Sequence, residues 1–256
     1  MPEAAEVEIV RAGLARVIGD ELLRVEVLDP KLELDPTSLV GQRISDLRRF
    51  GKWLFIDLDN RQSLRLHLRL SGQLILSQRE EPFGSDRLLI RTSSATIHFR
   101  DQRRFATADL VASSSAGLGL GPDLLNASFE LERAESTRAI KTYLLDQAVV
   151  AGIGNYLVDE ALWRVRVSPL RPASELDPKL LNRAVAAAKA VALTTLAAGG
   201  VSIRDYLNTN GVAGSGQNDL DCYGRAGAAC RRCQATLEKT RVGGRGTTFC
   251  PDCQAY

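Results

Sequence analysis

Two stretches of this 256-residue chain have the residue types and spacing to do chemistry. The first is Cys230-x2-Cys233, then sixteen residues, then Cys250-x2-Cys253. Each C-x2-C bends the chain so that two sulfurs face one point, and two such knuckles supply a tetrahedral set for Zn2+. With no open coordination position, the role of that metal is structural. The competing readings are chance CxxC pairs or a redox dithiol. A redox dithiol belongs beside a βαβ pattern, which is absent here. Cys222, the fifth cysteine, stands apart. Lys239, Arg241 and Arg245 lie between the knuckles, and a metal-held hairpin with these cations offers a rigid edge that grips phosphate. The second stretch is AGIGN at 151–155. Gly152 and Gly154 permit a sharp turn, Asn155 caps the following helix, and a glycine-led helix N-terminus is a phosphate site. The same residues also describe an ordinary helical hairpin.

The elements that position these stretches are readable from periodicity. Pro2 or Glu3 opens a first helix, since proline suits the first helical position and Glu3 and Glu6 favour the positive end of the dipole. Val7, Val10, Leu14 and Val17 give it an apolar stripe. Strand patterns follow at 23–29, 52–59, 63–70, 87–92 and 95–100. In SLRLHLRL (63–70) the leucines share one face, and Arg65, His67 and Arg69 share the other. The first 110 or so residues therefore form a β-rich domain with a leading helix. The composition shifts at 112–136. Helices are expected at about 137–147, 157–164 and 176–198, the last stopped by Gly199-Gly200. A polar glycine-rich loop spans 208–218.

Hydrophobic content of 45% suits a globular chain of one or two domains. Net charge is only +2, so the clustering of arginine matters more than the sum. No signal peptide is evident, and no apolar run reaches the ~18 residues of a membrane span. The expectation is a soluble, cytoplasmic protein with no membrane partner. Aromatic content of 5% argues against a stacking-based single-strand binder.

Several stretches together resemble the formamidopyrimidine-DNA glycosylase / endonuclease VIII family. They are MPE..EVE..R.GL at the start, GK.L at 51–54, HLRLSG at 67–72, DQRRF at 101–105, the AGIGN segment, R-D-Y at 204–206, YGR at 223–225 and the closing cysteines. They keep the family's order over nearly the whole chain. The resemblance implies an α+β fold: an N-terminal helix plus β-sandwich, then a helix–two-turn–helix domain with a four-cysteine zinc finger. The implied division is a catalytic helix and sandwich at 1–112, a hinge at 113–136, the helical domain at 137–221 and the finger at 222–256. Duplex DNA with oxidised bases or abasic sites is the implied partner, lying in the family's cleft between the two halves. One structural Zn2+ is the implied cofactor.

The resemblance also assigns roles. After removal of Met1, Pro2 is the nucleophile: a neutral secondary amine that attacks C1′ and expels the base. Glu3 moves protons at the sugar ring oxygen, Glu6 supports the site, and Lys52 contacts phosphate near the lesion. His67, Lys141, Asn155, Tyr223, Lys239 and Arg245 match DNA-contacting positions, with Asn155 and Arg245 on the phosphates flanking the flipped nucleotide. Leu70, Arg103 and Phe105 fill the space the nucleotide vacates. Without the resemblance, Leu70 and Phe105 would be read as core.

Two departures stand out. EAAEVE replaces the usual ELPEVE, and Ser215-Gly216 stand where larger residues are common. The first reading is a bifunctional DNA-formamidopyrimidine glycosylase and AP lyase that acts through an N-terminal Schiff base and β/δ-elimination. The second is the same chemistry with a preference for oxidised pyrimidines, like endonuclease VIII. The third is a non-catalytic binder of damaged DNA.

Overall fold

The computed structural model describes residues 1–113, 119–126, 129–203 and 205–255. Arg204 of the R-D-Y stretch and parts of the 113–136 hinge lie outside these residues. The chain forms two compact units, Met1–Leu118 with Leu196–Gln217, and Gly119–Thr195 with Asn218–Tyr256.

In the first unit α1 spans Ala4–Leu14. The helix starts after Glu3 because Glu3 is the N-cap, with extended backbone at φ −110° and ψ −168°. Val7, Val10 and Leu14 are buried as their spacing requires. Eight strands follow: β1 Leu22–Val27, β2 Ile44–Phe50, β3 Trp53–Leu58, β4 Gln62–His67, β5 Gln73–Ser77, β6 Asp86–Thr92, β7 Thr96–Arg100 and β8 Thr107–Ala112. They make two antiparallel four-stranded sheets, ordered β1-β6-β7-β5 and β2-β3-β4-β8. Leu22, Ile90, Ile97 and Phe99 of one sheet and Leu54, Ile56, Leu64 and Leu66 of the other join α1 in one core. β2, β5 and β8 were not anticipated. β2 escapes a period-2 reading because its register shifts between Ile44 and Asp46.

The segment Leu196–Gln217, expected to close the helical domain, packs with the sandwich instead. Tyr206 is 5% exposed in the sandwich core. The Leu76 N–H donates to the Thr209 carbonyl at 2.8 Å. A Cβ on Gly13 would lie 2.1 Å from Thr209 Oγ1, so α1 and this segment meet at a glycine.

The second unit holds α2 Ile140–Leu145, α3 Asn155–Val165, α4 Pro178–Ala197 and a hairpin of β9 Glu238–Val242 and β10 Arg245–Phe249. α4 has the length and apolarity to cross a membrane. Its burial is nonetheless that of an amphipathic core helix. Leu181, Ala184, Val185, Ala188, Val191, Ala192 and Thr195 are covered, Arg183 faces water, and the Lys189 ammonium donates to the Asn126 carbonyl.

Candidate functional site

At the amino end Pro2 precedes the cap, and Glu3 and Glu6 are almost fully buried. The Glu6 carboxylate is a bridge. Oε2 accepts the Glu3 N–H at 2.8 Å, and Oε1 accepts the Val201 N–H at 3.0 Å. It therefore pins the start of α1 to the segment after α4. Gly200 (φ +92°) makes room for this, since a Cβ there would strike the Tyr206 ring at 2.5 Å and approach Glu6 Cγ at 3.2 Å. Burial, and then the Glu6 charge, push the Tyr206 phenol up, so it stays protonated.

Lys52 follows Gly51 (φ +58°) in the β2–β3 turn and is 7% exposed. Arg49 holds this turn to α1: its Nε donates to Glu8 at 3.1 Å and an Nη to the Gly51 carbonyl at 3.0 Å. At the end of β4, His67 packs edge-on against Trp53. Its Nδ1 accepts the Arg69 N–H at 3.0 Å, so a neutral ring carries its proton on Nε2 as a donor. Burial, then the positive charges of Arg69 and Lys52, lower its pKa from 6.5 to about 3. The folded protein therefore binds fewer protons than the unfolded chain between those values, and stability falls as pH drops through 6.5. Relative to His67→Asn, which keeps an acceptor at Nδ1, the protein should lose about 2 kcal/mol between pH 7 and 5. Urea titrations at the two pH values measure it. Parallel losses in both proteins would contradict a depressed His67.

The strand reading of 63–70 breaks after His67. Arg69 adopts φ +53°, the chain turns, and Leu70 faces solvent at 39% exposure. Phe105, 50% exposed, carries the Arg103 guanidinium over its ring at 5.3 Å. Beneath them lies a buried ionic network that the sequence did not reveal. Arg87 donates to Asp29 at 2.6 Å and to the Ala106 carbonyl, and Arg104 closes a two-bond pair on Asp29. The Arg104 pair leads the effects that hold the Asp29 carboxyl far below its usual range, against its burial.

In the second unit the AGIGN turn is clamped by Gln147, which accepts from the Gly152 N–H and donates to the Ile153 carbonyl. Asn155 begins α3, and its Nδ2 donates to the Gly246 carbonyl at 2.9 Å. Asn155 thus sits beside Arg245 across a hairpin whose Gly243 and Gly244 both take positive φ. Lys239, Arg241 and Arg245 are exposed on that hairpin. Tyr223 is half-buried with its ring edge-on to Tyr156. Its backbone is fixed by Glu160, a fully buried carboxylate accepting the N–H groups of Asp221, Cys222 and Tyr223. Lys141 has no exposed surface. Its ammonium is held by Asp159 at 2.7 Å, Thr247 Oγ1 at 2.8 Å and the Gly246 carbonyl at 3.0 Å. Burial leaves no atom of Lys141 facing out, and its ammonium braces the hairpin against α3.

The Sγ atoms of Cys230, Cys233, Cys250 and Cys253 all lie within 4.8 Å of one another. A tetrahedral Zn2+ with Zn–S of about 2.3 Å needs sulfurs about 3.8 Å apart, so the set fits one structural zinc. Cys222 stays outside it, its thiol donating to the Thr248 carbonyl. Arg232 lies 3.8 Å above the Trp163 ring, joining the first knuckle to α3. Stripping the metal should change Trp163 emission while Trp53, in β3, keeps its spectrum. Single-tryptophan variants titrated with a chelator test this, and prior loss of the Trp53 signal would contradict it.

The architecture is α+β, with a sandwich led by a helix, a helical unit and a four-cysteine finger. Three families match it in order. Residues 1–108 match the formamidopyrimidine-DNA glycosylase N-terminal domain, 120–206 its H2TH domain, and 227–255 the zinc finger found in FPG and IleRS. A formamidopyrimidine-DNA glycosylase of Roseiflexus sp. (strain RS-1) is 40% identical over 99% of this chain and all of that protein. One from Streptococcus mutans is 37% identical over 99% of each. Among solved structures, a Lactococcus lactis FPG variant complexed with Fapy-dG-containing DNA superposes with TM-score 0.91 at 31% identity, covering all of both chains. MutM with carbocyclic 8-oxo-G-containing DNA gives 0.90 at 32%, again over all of both chains. The chain belongs to the formamidopyrimidine-DNA glycosylase family.

Proposed function

We infer that this chain is a DNA glycosylase and AP lyase of base-excision repair that removes oxidised bases, formamidopyrimidines and 8-oxoguanine, from duplex DNA. The observation that carries the reading is the Glu6 bridge. It fixes the start of α1, where Pro2 lies, and the 201–217 segment to one carboxylate. In processed protein the Pro2 nitrogen attacks C1′ of the extruded nucleotide as the base leaves. The iminium so formed acidifies C2′–H. Loss of that proton breaks the 3′ phosphate ester, and a second elimination releases the 5′ phosphate. Glu3, at the N-cap, moves protons at the ring oxygen. Glu6 has both oxygens engaged by backbone N–H groups and serves as a positioning residue. Lys52 and neutral His67 contribute a cation and an N–H donor to phosphate. Asn155, Tyr223, Lys239 and Arg245 supply contacts from the second unit. Lys141 acts through the hairpin it braces.

Leu70, Arg103 and Phe105 enter the vacated stack. The 201–217 segment, attached to the catalytic helix, covers the extruded base, which favours an oxidised purine. The functional division is the catalytic helix and sandwich of 1–112 joined by the 196–217 segment, the 113–136 hinge, the helical domain from 137 and the finger of 222–256, working as a monomer on the cytoplasmic nucleoid. The test is borohydride trapping across a lesion panel of 8-oxoguanine, formamidopyrimidine, thymine glycol and abasic duplexes. A reducible covalent adduct with the oxidised purines is expected. No adduct with any lesion would sink the reading.

A further inference from the structure

Leu70 and the Arg103–Phe105 pair stand on different loops, one after β4 and one after β7. Leu70 and Phe105 present exposed apolar tips and Arg103 an exposed cation, yet their roots are not independent. Asp101 is 2% exposed, and its side chain has no exposed surface. Its Oδ1 accepts the Ser71 hydroxyl at 2.6 Å and the Arg103 N–H at 3.1 Å. Its Oδ2 accepts the Phe105 and Ala106 N–H groups, each at 2.7 Å. Arg87 lies 4.0 Å from the same oxygen. One carboxylate therefore takes donors from both loops. Burial pushes its carboxyl up, but the Ser71 hydroxyl and these N–H groups outweigh it and hold the group below the usual carboxylate range. The loops also touch: a Cβ on Gly72 would meet Ala106 Cβ at 2.9 Å and the Leu68 carbonyl at 2.5 Å.

We propose that Asp101, through Ser71, is a positioning residue that locks Leu70, Arg103 and Phe105 into one preformed wedge for duplex insertion. This rests on the void-filling role given to those side chains above. Three side chains that enter a base stack together must already share one geometry. Otherwise the ordering of each loop is subtracted from the insertion step. A buried carboxylate suits the task, because ionised acceptors make the stronger hydrogen bonds and no water competes for them. Ser71→Ala removes the hydroxyl bond from the Leu70 loop to this carboxylate and leaves the loop after β7 its three backbone N–H bonds.

The test compares two substrates. One is an 8-oxoguanine·cytosine duplex under single-turnover conditions, which needs insertion. The other is a single-stranded abasic oligonucleotide, which needs only the amine chemistry. Ser71→Ala should slow duplex excision about fivefold, the worth of one net hydrogen bond, and Asp101→Asn by about tenfold to about a hundredfold. Single-strand cleavage should be unchanged, and Ser71→Thr, which keeps the hydroxyl, should restore the duplex rate. 2-Aminopurine beside the lesion should show delayed insertion. If Asp101→Asn does not fold, Ser71→Ala and Ser71→Thr carry the test. Leu70→Ala separates the two levels. If it shows no duplex-specific loss, the insertion role falls and the proposal with it. If it shows that loss and Ser71→Ala slows neither substrate, or both equally, the coupling through Asp101 alone is overturned.

Discussion

Protein that retains Met1, and protein carrying Pro2→Gly, should both lose base excision by at least about a thousandfold, because covalent catalysis is blocked in the first and weakened in the second. The two variants fail for different reasons. Retained Met1 places an amide at the Pro2 nitrogen, and an amide nitrogen does not attack C1′. Pro2→Gly keeps an amine but makes it primary. A secondary amine gives an iminium with no N–H to shed, so the positive charge persists and keeps C2′–H acidic. The α-amino reference near 8 already leaves a reactive neutral fraction at physiological pH, and the adjacent helix N-terminus disfavours the cation further. DNA affinity should survive in both variants, because Lys52, His67 and the zinc hairpin are untouched. Trapping with borohydride and filter binding at matched salt separate chemistry from binding. A Met1-retaining protein that still forms the adduct would overturn the assignment of the nucleophile.

The residues legible in the sequence are those whose signal is local. C-x2-C spacing announces the metal, and the Val7, Val10 and Leu14 stripe announces α1. Leu70 shows where a local signal misleads. Period-2 alternation places it with Leu64, Leu66 and Leu68 in the core. The backbone reverses at Arg69 instead, because the His67 ring accepts the Arg69 N–H and Gly72 permits close return to Leu68. That contest between a ladder and a side-chain bond is invisible to periodicity. The carboxylates that organise the site are invisible for a different reason. Glu6 and Val201 are 195 residues apart, Asp29 and Arg87 are 58 apart, and Glu160 reaches a loop 61 residues on. Each reads alone as a solvated charge, and only the fold supplies its donor. The sandwich likewise claims the 196–217 segment through the Tyr206 ring and backbone bonds at Val201 and Thr209, in a stretch otherwise polar and without periodicity.

Lys141 gives the sharpest separation between family position and physical role. A phosphate-contacting lysine, once removed, lowers the salt dependence of DNA binding by about one ion and leaves the fold intact. A buried lysine paired with Asp159 behaves otherwise. Burial pushes the Asp159 carboxyl up to about 6, and the nearby Lys141 charge opposes that rise. Lys141→Met would strand this carboxylate without its cation and cut the ties to Gly246 and Thr247. Breaking one side of a buried pair costs about 3–5 kcal/mol, so Tm should fall by about 10 °C. Lys141→Met with Asp159→Asn should recover part of that loss, because the stranded charge goes with it. The slope of log affinity against log salt should stay that of the parent at temperatures where the variant is folded. Its base excision should fall all the same, since Asn155 and Arg245 meet at the Gly246 strand that Lys141 braces. A variant with unchanged Tm and a shallower salt slope would return Lys141 to the phosphate backbone.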